Sequence, residues 1–128
     1  MTFVDTNVVI YAVGRAHPLK AEARRFFDET LVDRTPLATS AEVLQELLHA
    51  YLPVARLETL DAALELVESR VGTVWSVEAE DVQLARSLVG AHGELGARDL
   101  LHLACCRRRG VEEIKTFDRS LAAAFRRR

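Results

Sequence analysis

The sequence predicts an α/β domain built around a parallel sheet. Short β-favouring segments recur along the chain, and stretches of ten or more residues with helical periodicity separate them. Parallel strands need crossovers of that length, which antiparallel hairpins do not. A chain of 128 residues, 49% hydrophobic and 28% charged, fits one domain spanning 1–128 with one ordinary core. No internal repeat, low-complexity stretch or Pro/Gly/Ser linker divides it.

Thr2 to Val4 opens as a short strand. After Asp5-Thr6-Asn7, the apolar run Val8 to Val13 fits strand or helix alike. Pro18 suits an early helix position, and Leu19, Ala23, Phe26, Phe27 and Leu31 follow at helical spacing. Leu37-Ala38-Thr39 is the second strand. Ser40 stands where it would cap a helix whose apolar stripe is Val43, Leu44, Leu47, Leu48 and Tyr51, stopped by Pro53. Leu57, Leu60, Ala63, Leu64 and Val67 mark the next helix, and Gly72 separates it from the β-rich run Thr73 to Val77. Helix is expected again over Glu78 to Ala91 and, beyond the Gly93-Glu94-Leu95-Gly96 loop, over Ala97 to Arg109, where Gly110 ends it. Glu113 to Thr116 is the last strand segment, and a final helix runs from about Asp118 to Phe125.

Seventeen Lys and Arg against nineteen Asp and Glu give a formal charge of -2, which excludes a grossly basic nucleic-acid binder and an acidic disordered tail. Fifteen of the cations are Arg, the side chain suited to bidentate phosphate contacts. No apolar run approaches the roughly 20 residues of a bilayer span, and the start lacks the basic segment of a signal peptide, so a cytoplasmic, membrane-free protein is expected. Adjacent Cys105 and Cys106 fall in a helix, where neighbouring side chains diverge by about 100°; they read as reduced packing residues.

The chemistry concentrates in acids at strand ends, where parallel sheets bind ligands. Asp5 follows the first strand and Asp118 the last. Asp99 stands in the first turn of the helix after the glycine loop, and Glu46 lies on the polar flank of its helix, about 130° from the apolar stripe; Glu42 is farther round and the poorer candidate. Taken singly, Asp5, Asp99 and Asp118 also fit helix capping or a favourable helix dipole, and Glu46 fits a solvated face. Four carboxylates brought together would need compensating cations, and hard oxygen donors suit Mg²⁺ or Mn²⁺.

Phe3-Val4-Asp5-Thr6-Asn7-Val8-Val9-Ile10-Tyr11-Ala12 resembles the opening motif of PIN-domain nucleases, in particular VapC-type toxins of bacterial and archaeal toxin–antitoxin pairs. The other acids fall in the same order as in that family: Glu46 in Val43-Leu44-Gln45-Glu46-Leu47-Leu48, Asp99 in Ala97-Arg98-Asp99-Leu100-Leu101-His102-Leu103-Ala104, and Asp118 in Lys115-Thr116-Phe117-Asp118-Arg119. The resemblance implies a three-layer α/β/α domain around a parallel sheet of four or five short strands. It also implies Mg²⁺-dependent endonucleolytic cleavage of RNA by metal-activated water. On that model Asp5, Asp99 and Asp118 ligate metal, Glu46 completes the cluster, and Asn7 and Thr116 orient Asp5 and Asp118 by hydrogen bonding. The implied partners are a cognate antitoxin, an RNA substrate, and a second copy of the chain in a homodimer and larger toxin–antitoxin complex. Many relatives carry one more short strand at the end, whereas Phe125 is followed here only by Arg126-Arg127-Arg128.

His102, three residues after Asp99, could act as a general acid or phosphate contact but is assigned a structural or solvent-facing role, and Trp75 a place in the core rather than a base-stacking one. Arg107 to Arg109 and Arg126 to Arg128 fit an RNA backbone and helix-end or solvated roles equally. Two other functions compete. A phosphotransferase with an aspartyl nucleophile would want an acid two residues after Asp5, where Asn7 stands; a silent PIN-like binding module would not need all four acids.

Overall fold

The computed structural model describes residues 1–127. Four parallel strands, β1 (Thr2–Val4), β2 (Leu37–Ser40), β3 (Thr73–Trp75) and β4 (Glu113–Lys115), lie in the order β3-β2-β1-β4. Register pairs Thr2 with Leu37 and Glu113, and Ser40 with Trp75, so the carboxyl ends of all four strands share one edge. The chain steps outward from β1 through β2 to β3, then returns to the other side of β1 for β4. The switch point therefore falls between β1 and β4, where ligands bind in open parallel sheets.

Helices α1 (Thr6–Val13), α2 (Pro18–Val32), α3 (Ala41–Tyr51), α4 (Leu57–Arg70), α5 (Ala79–Ser87) and α6 (Ala97–Arg108) make the crossovers, and α7 (Arg119–Arg126) follows the last strand. Successive residues of β1 feed different cores, as strand alternation requires. Val4 joins Val8, Val9, Phe27, Leu47, Leu60 and Val67 from α1 to α4, whereas Phe3 packs with Val43, Cys106 and Val111. A third cluster joins Ala85 of α5, Leu100 and Leu103 of α6 and Leu121 of α7. Helices thus flank the sheet, and among the described residues the sheet has four strands.

The ambiguous run after Asp5 resolves as helix α1, because Val8, Val9 and Ala12 lie on one buried face. It ends at Gly14, whose extended backbone would bring an added Cβ to 2.8 Å from the Ile10 carbonyl oxygen. The helix expected over Glu78 to Ala91 ends at Ser87. Leu88 and Val89 donate to Ala85 and Arg86, tightening the last turn into i to i−3 bonds before Gly90. Ser40 occupies the cap position of α3, but its hydroxyl makes no capping bond and is buried without a partner. Asp118 caps α7 rather than starting it, accepting from the Leu121 N–H at 3.1 Å. Gly110 adopts the left-handed φ of +63° that closes α6.

Asp81 is 0% exposed yet ionised. It accepts from Arg108 and Arg109 at 2.7 Å each and from the Glu78 N–H at 2.8 Å, tying the start of α5 to the end of α6. Burial would raise its pKa, but the Arg109 bond, the Glu78 N–H and the Arg108 bond outweigh it and hold the carboxyl far below its usual range. Trp75 is half-buried, stacked with Phe3 at 6.3 Å between ring centroids and with the Arg109 guanidinium 5.1 Å from its ring centroid. Cys105 and Cys106 are buried free thiols, with burial pushing the Cys105 pKa up to about 11. No helix among the described residues is long and apolar enough to cross a membrane.

Candidate active site

At the carboxyl edge, over the switch point, Asp5, Glu46, Asp99 and Asp118 line a single cleft of about 580 Å³. Four separate elements deliver them: the β1–α1 junction, α3, the first turn of α6, and the cap of α7. Glu42 does not line it. The capping and site readings of Asp5 and Asp118 turn out to be compatible, because each carboxylate uses one oxygen on a helix N–H. Asp5 Oδ1 accepts from the Thr6 N–H at 2.7 Å, and Asp118 Oδ1 accepts from Leu121.

The two polar residues next to these acids bind the central strands together. Thr116 donates its hydroxyl to Asp5 Oδ2 at 2.6 Å, and the Thr116 hydroxyl oxygen itself accepts from the Asp118 N–H at 3.0 Å and from Asn7 Nδ2 at 3.3 Å. Asn7 Oδ1 accepts from the Phe117 N–H at 3.1 Å. One hydroxyl and one amide therefore fix Asp5 and the backbone of Asp118 relative to each other. Asn7 is also why no second acid follows Asp5; its place is taken by this clamp.

Two further side chains act here: Thr6, which the sequence reading passed over, and His102, whose structural role it left without a partner. The Thr6 hydroxyl donates to Glu46 Oε2, joining α1 to α3. His102 is not solvent-facing: it is 1% exposed, one turn along α6 from Asp99, with Nε2 3.0 Å from Glu46 Oε1 and 3.8 Å from Asp5 Oδ1. Phe3 packs against its ring at 5.5 Å, and its Nδ1 has no partner. The signal was available, since a residue three positions after Asp99 shares its side of the helix.

Burial and neighbouring charges perturb Asp5, Glu46, Asp99 and His102. Burial raises the Asp5 pKa, against the opposing pull of His102, Thr116 and the Thr6 N–H. Asp99 is pushed up to about 6 by burial and by the negative charges of Asp5 and Asp118. Burial also opposes ionisation of Glu46, but the His102 bond, the His102 charge and Thr6 outweigh it, so the Glu46 pKa falls. Burial disfavours the charged imidazole, yet the Glu46 bond and the surrounding carboxylates raise the His102 pKa overall.

The donor set fits a divalent cation. Ligand atoms of Asp5, Glu46 and His102 lie within 4.8 Å of one another, and Asp99 and Asp118 add hard oxygen donors to the same cleft. A cation would relieve the carboxylate repulsion that raises Asp99.

Residues 2–126 match the family model for the PIN domain. The chain is 60% identical over 126 residues to Ribonuclease VapC23 of Mycobacterium tuberculosis, covering 98% of this chain and 99% of that protein. It is 36% identical over 119 residues to Ribonuclease VapC13 of the same organism, covering 93% and 91%. Its fold is similar to the crystal structure of M. tuberculosis VapC20, described as a Sarcin-Ricin loop cleaving toxin, with a TM-score of 0.80 at 24% identity over 97% of this chain and 95% of that one. It is also similar to FitAcB from Neisseria gonorrhoeae, with a TM-score of 0.66 at 21% identity over 98% and 93%. A four-stranded parallel sheet with its acids gathered at the switch point, and near-full-length identity to named VapC ribonucleases, place this chain in the PIN-domain family, among the VapC-type toxin endoribonucleases.

Proposed function

We propose that the chain cleaves RNA phosphodiesters in the cytoplasm with a divalent cation, Mg²⁺ or Mn²⁺, held by Asp5, Glu46, Asp99 and Asp118. The observation that carries the reading is the convergence of these four carboxylates from four elements on one cleft at the strand switch point. When bound there, the cation lowers the pKa of water and offsets charge on the phosphate. Asp5 is the central ligand because Thr116 and the Thr6 N–H fix both of its oxygens. Glu46 is kept ionised by His102 and Thr6 and supplies negative charge on the opposite wall. His102 orients Asp5 and Glu46 from behind, and Asn7 with Thr116 sets the spacing between Asp5 and Asp118.

Family membership supports the remaining partners: a cognate antitoxin that holds the ribonuclease inactive, and a second copy of the chain. Light scattering of the free protein and of its complex with the product of the adjacent reading frame tests both. The catalytic reading is tested by incubating total RNA with purified protein, with and without Mg²⁺, beside Asp5→Asn and Asp99→Asn. Cleavage that needs metal and is lost in both variants is expected. Metal-independent cleavage, or full activity in either variant, removes the mechanism.

A further inference from the structure

We propose that Arg98 contacts the RNA directly, gripping a phosphate next to the scissile one and so holding the strand across the acidic floor. This rests on the ribonuclease reading above and adds the group that lets a polyanion settle on four carboxylates. Among the described residues, Arg98 is the one Lys or Arg lining the cleft. It immediately precedes Asp99 in the first turn of α6, opposite His49, which lines the other wall one turn beyond Glu46 on α3.

Most other candidate arginines are already engaged. Arg108 and Arg109 are held by Asp81 and Glu78. Arg107 donates to the Arg127 carbonyl oxygen, and Arg127 itself pairs with Glu94 and His92. The first basic cluster of the sequence is therefore spent on packing, and Arg127 on the loop before α6; Arg126 is exposed at the end of α7 and does not line the cleft. Arg128 lies outside the described residues. Arg98 is exposed and has neither a hydrogen bond nor an ion pair among the described residues, although its charge is felt at Glu46. An unengaged guanidinium on a helix, one residue from a proposed metal ligand, is a preorganised fork for a phosphodiester. An ordinary solvated helix arginine would look the same from composition alone; its placement on the cleft wall is what separates the two.

The test reads RNA binding without cleavage. On an Asp5→Asn background, the dissociation constant of a fluorescein-labelled, mixed-sequence single-stranded RNA is measured against salt concentration, for that protein alone and with Arg98→Ala, Arg98→Lys or Arg25→Ala added. Arg25 is exposed on α2, outside the cleft. One lost phosphate contact lowers the slope of log affinity against log salt by about 0.7. Arg98→Ala is expected to lose that much slope and to weaken binding by about fivefold to tenfold at moderate salt. Arg98→Lys should recover the slope and part of the affinity, and Arg25→Ala should change neither. A slope unchanged by Arg98→Ala, or no RNA binding by any of the proteins, overturns the proposal. If Arg98→Ala lowers the slope while wild-type protein cuts no RNA with Mg²⁺, the contact stands and the catalytic reading falls.

Discussion

Replacing Asp99 with Asn should stabilise the metal-free protein at neutral pH while abolishing cleavage. Asp99 is raised from 3.8 to about 6 by burial and by the charges of Asp5 and Asp118, so the folded state binds its proton more tightly than the unfolded chain does. Where the folded state holds more protons, stability falls as pH rises. Below pH 3.8 both states are protonated and Asp99 costs nothing; between there and about 6 the unfolded chain ionises first; above about 6 the full penalty applies. Two units correspond to about 3 kcal/mol. Asp99 is only partly buried, so solvent screening reduces this to about 1–2 kcal/mol. For a chain of this size that is roughly 4–8 °C in Tm.

The assay is thermal unfolding in EDTA from pH 4 to pH 8, wild type against Asp99→Asn. The two proteins should match near pH 4, diverge between there and about pH 6, and stay apart by the full difference above it, with the variant higher. Adding Mg²⁺ should then raise the wild type by about 2.7 kcal/mol at a hundred times its dissociation constant and leave the variant much less affected. A variant less stable than wild type at pH 7, or a difference that does not vary with pH, would refute the electrostatic account of the site.

Three other outcomes follow from the contacts. Asp81→Ala leaves Arg108 and Arg109 without their buried partner and should cost about 3 kcal/mol in urea unfolding; because the folded pKa of Asp81 is depressed, the wild-type advantage is full above pH 3.8 and fades as pH falls below it. His102→Leu removes the bond and charge that hold Glu46 low, so the Glu46 carboxyl resonance should titrate at higher pH than in wild type; an unmoved titration would show that His102 does not govern Glu46. Gly14→Ala forces a Cβ against the Ile10 carbonyl oxygen and should lower stability by about 1–3 kcal/mol, read as an earlier urea midpoint with unchanged slope.

The strands and their parallel arrangement were legible because each β segment is bounded by turn residues and followed by a helical stretch long enough for a crossover. Asp5, Asp99 and Asp118 were legible as candidates because strand ends and first helical turns are positions that sequence alone can name, and Glu46 because it lies on the polar flank of its helix. The boundary of α5 was less so: Val82, Ala85, Leu88 and Val89 keep a helical rhythm past Ser87, yet Val82 and Val89 are exposed. There the periodicity records a surface stripe, not the length of the helix. Ser40 misled for a related reason, since occupying a cap position does not require its hydroxyl to reach the helix N–H groups.

His102 and Asp81 show a deeper limit. Each is a polar side chain on an otherwise ordinary helix, and each is buried because of partners distant in sequence: Glu46 is 56 residues from His102, and Arg108 and Arg109 are 27 and 28 from Asp81. Helical periodicity can place such a residue on a face but cannot say what waits across the interface. The same limit governs the arginines, whose clustering in sequence suggested RNA contact for groups that folding assigns to Asp81 and to the carboxyl-terminal turn. A basic run is informative about nucleic acid only after the carboxylates that fold against it have been subtracted. On that accounting the near-neutral composition conceals a division of labour. Asp81 and its neighbours neutralise arginines inside the fold, while the four acids of the cleft stay close to one another and away from cationic side chains other than His102 and the nearby Arg98. Such a separation of charge is costly to the metal-free protein and, on the proposed reading, would be recovered when a cation and a phosphate enter the cleft. The destabilising carboxylate at Asp99 and the unengaged guanidinium at Arg98 are adjacent halves of that arrangement.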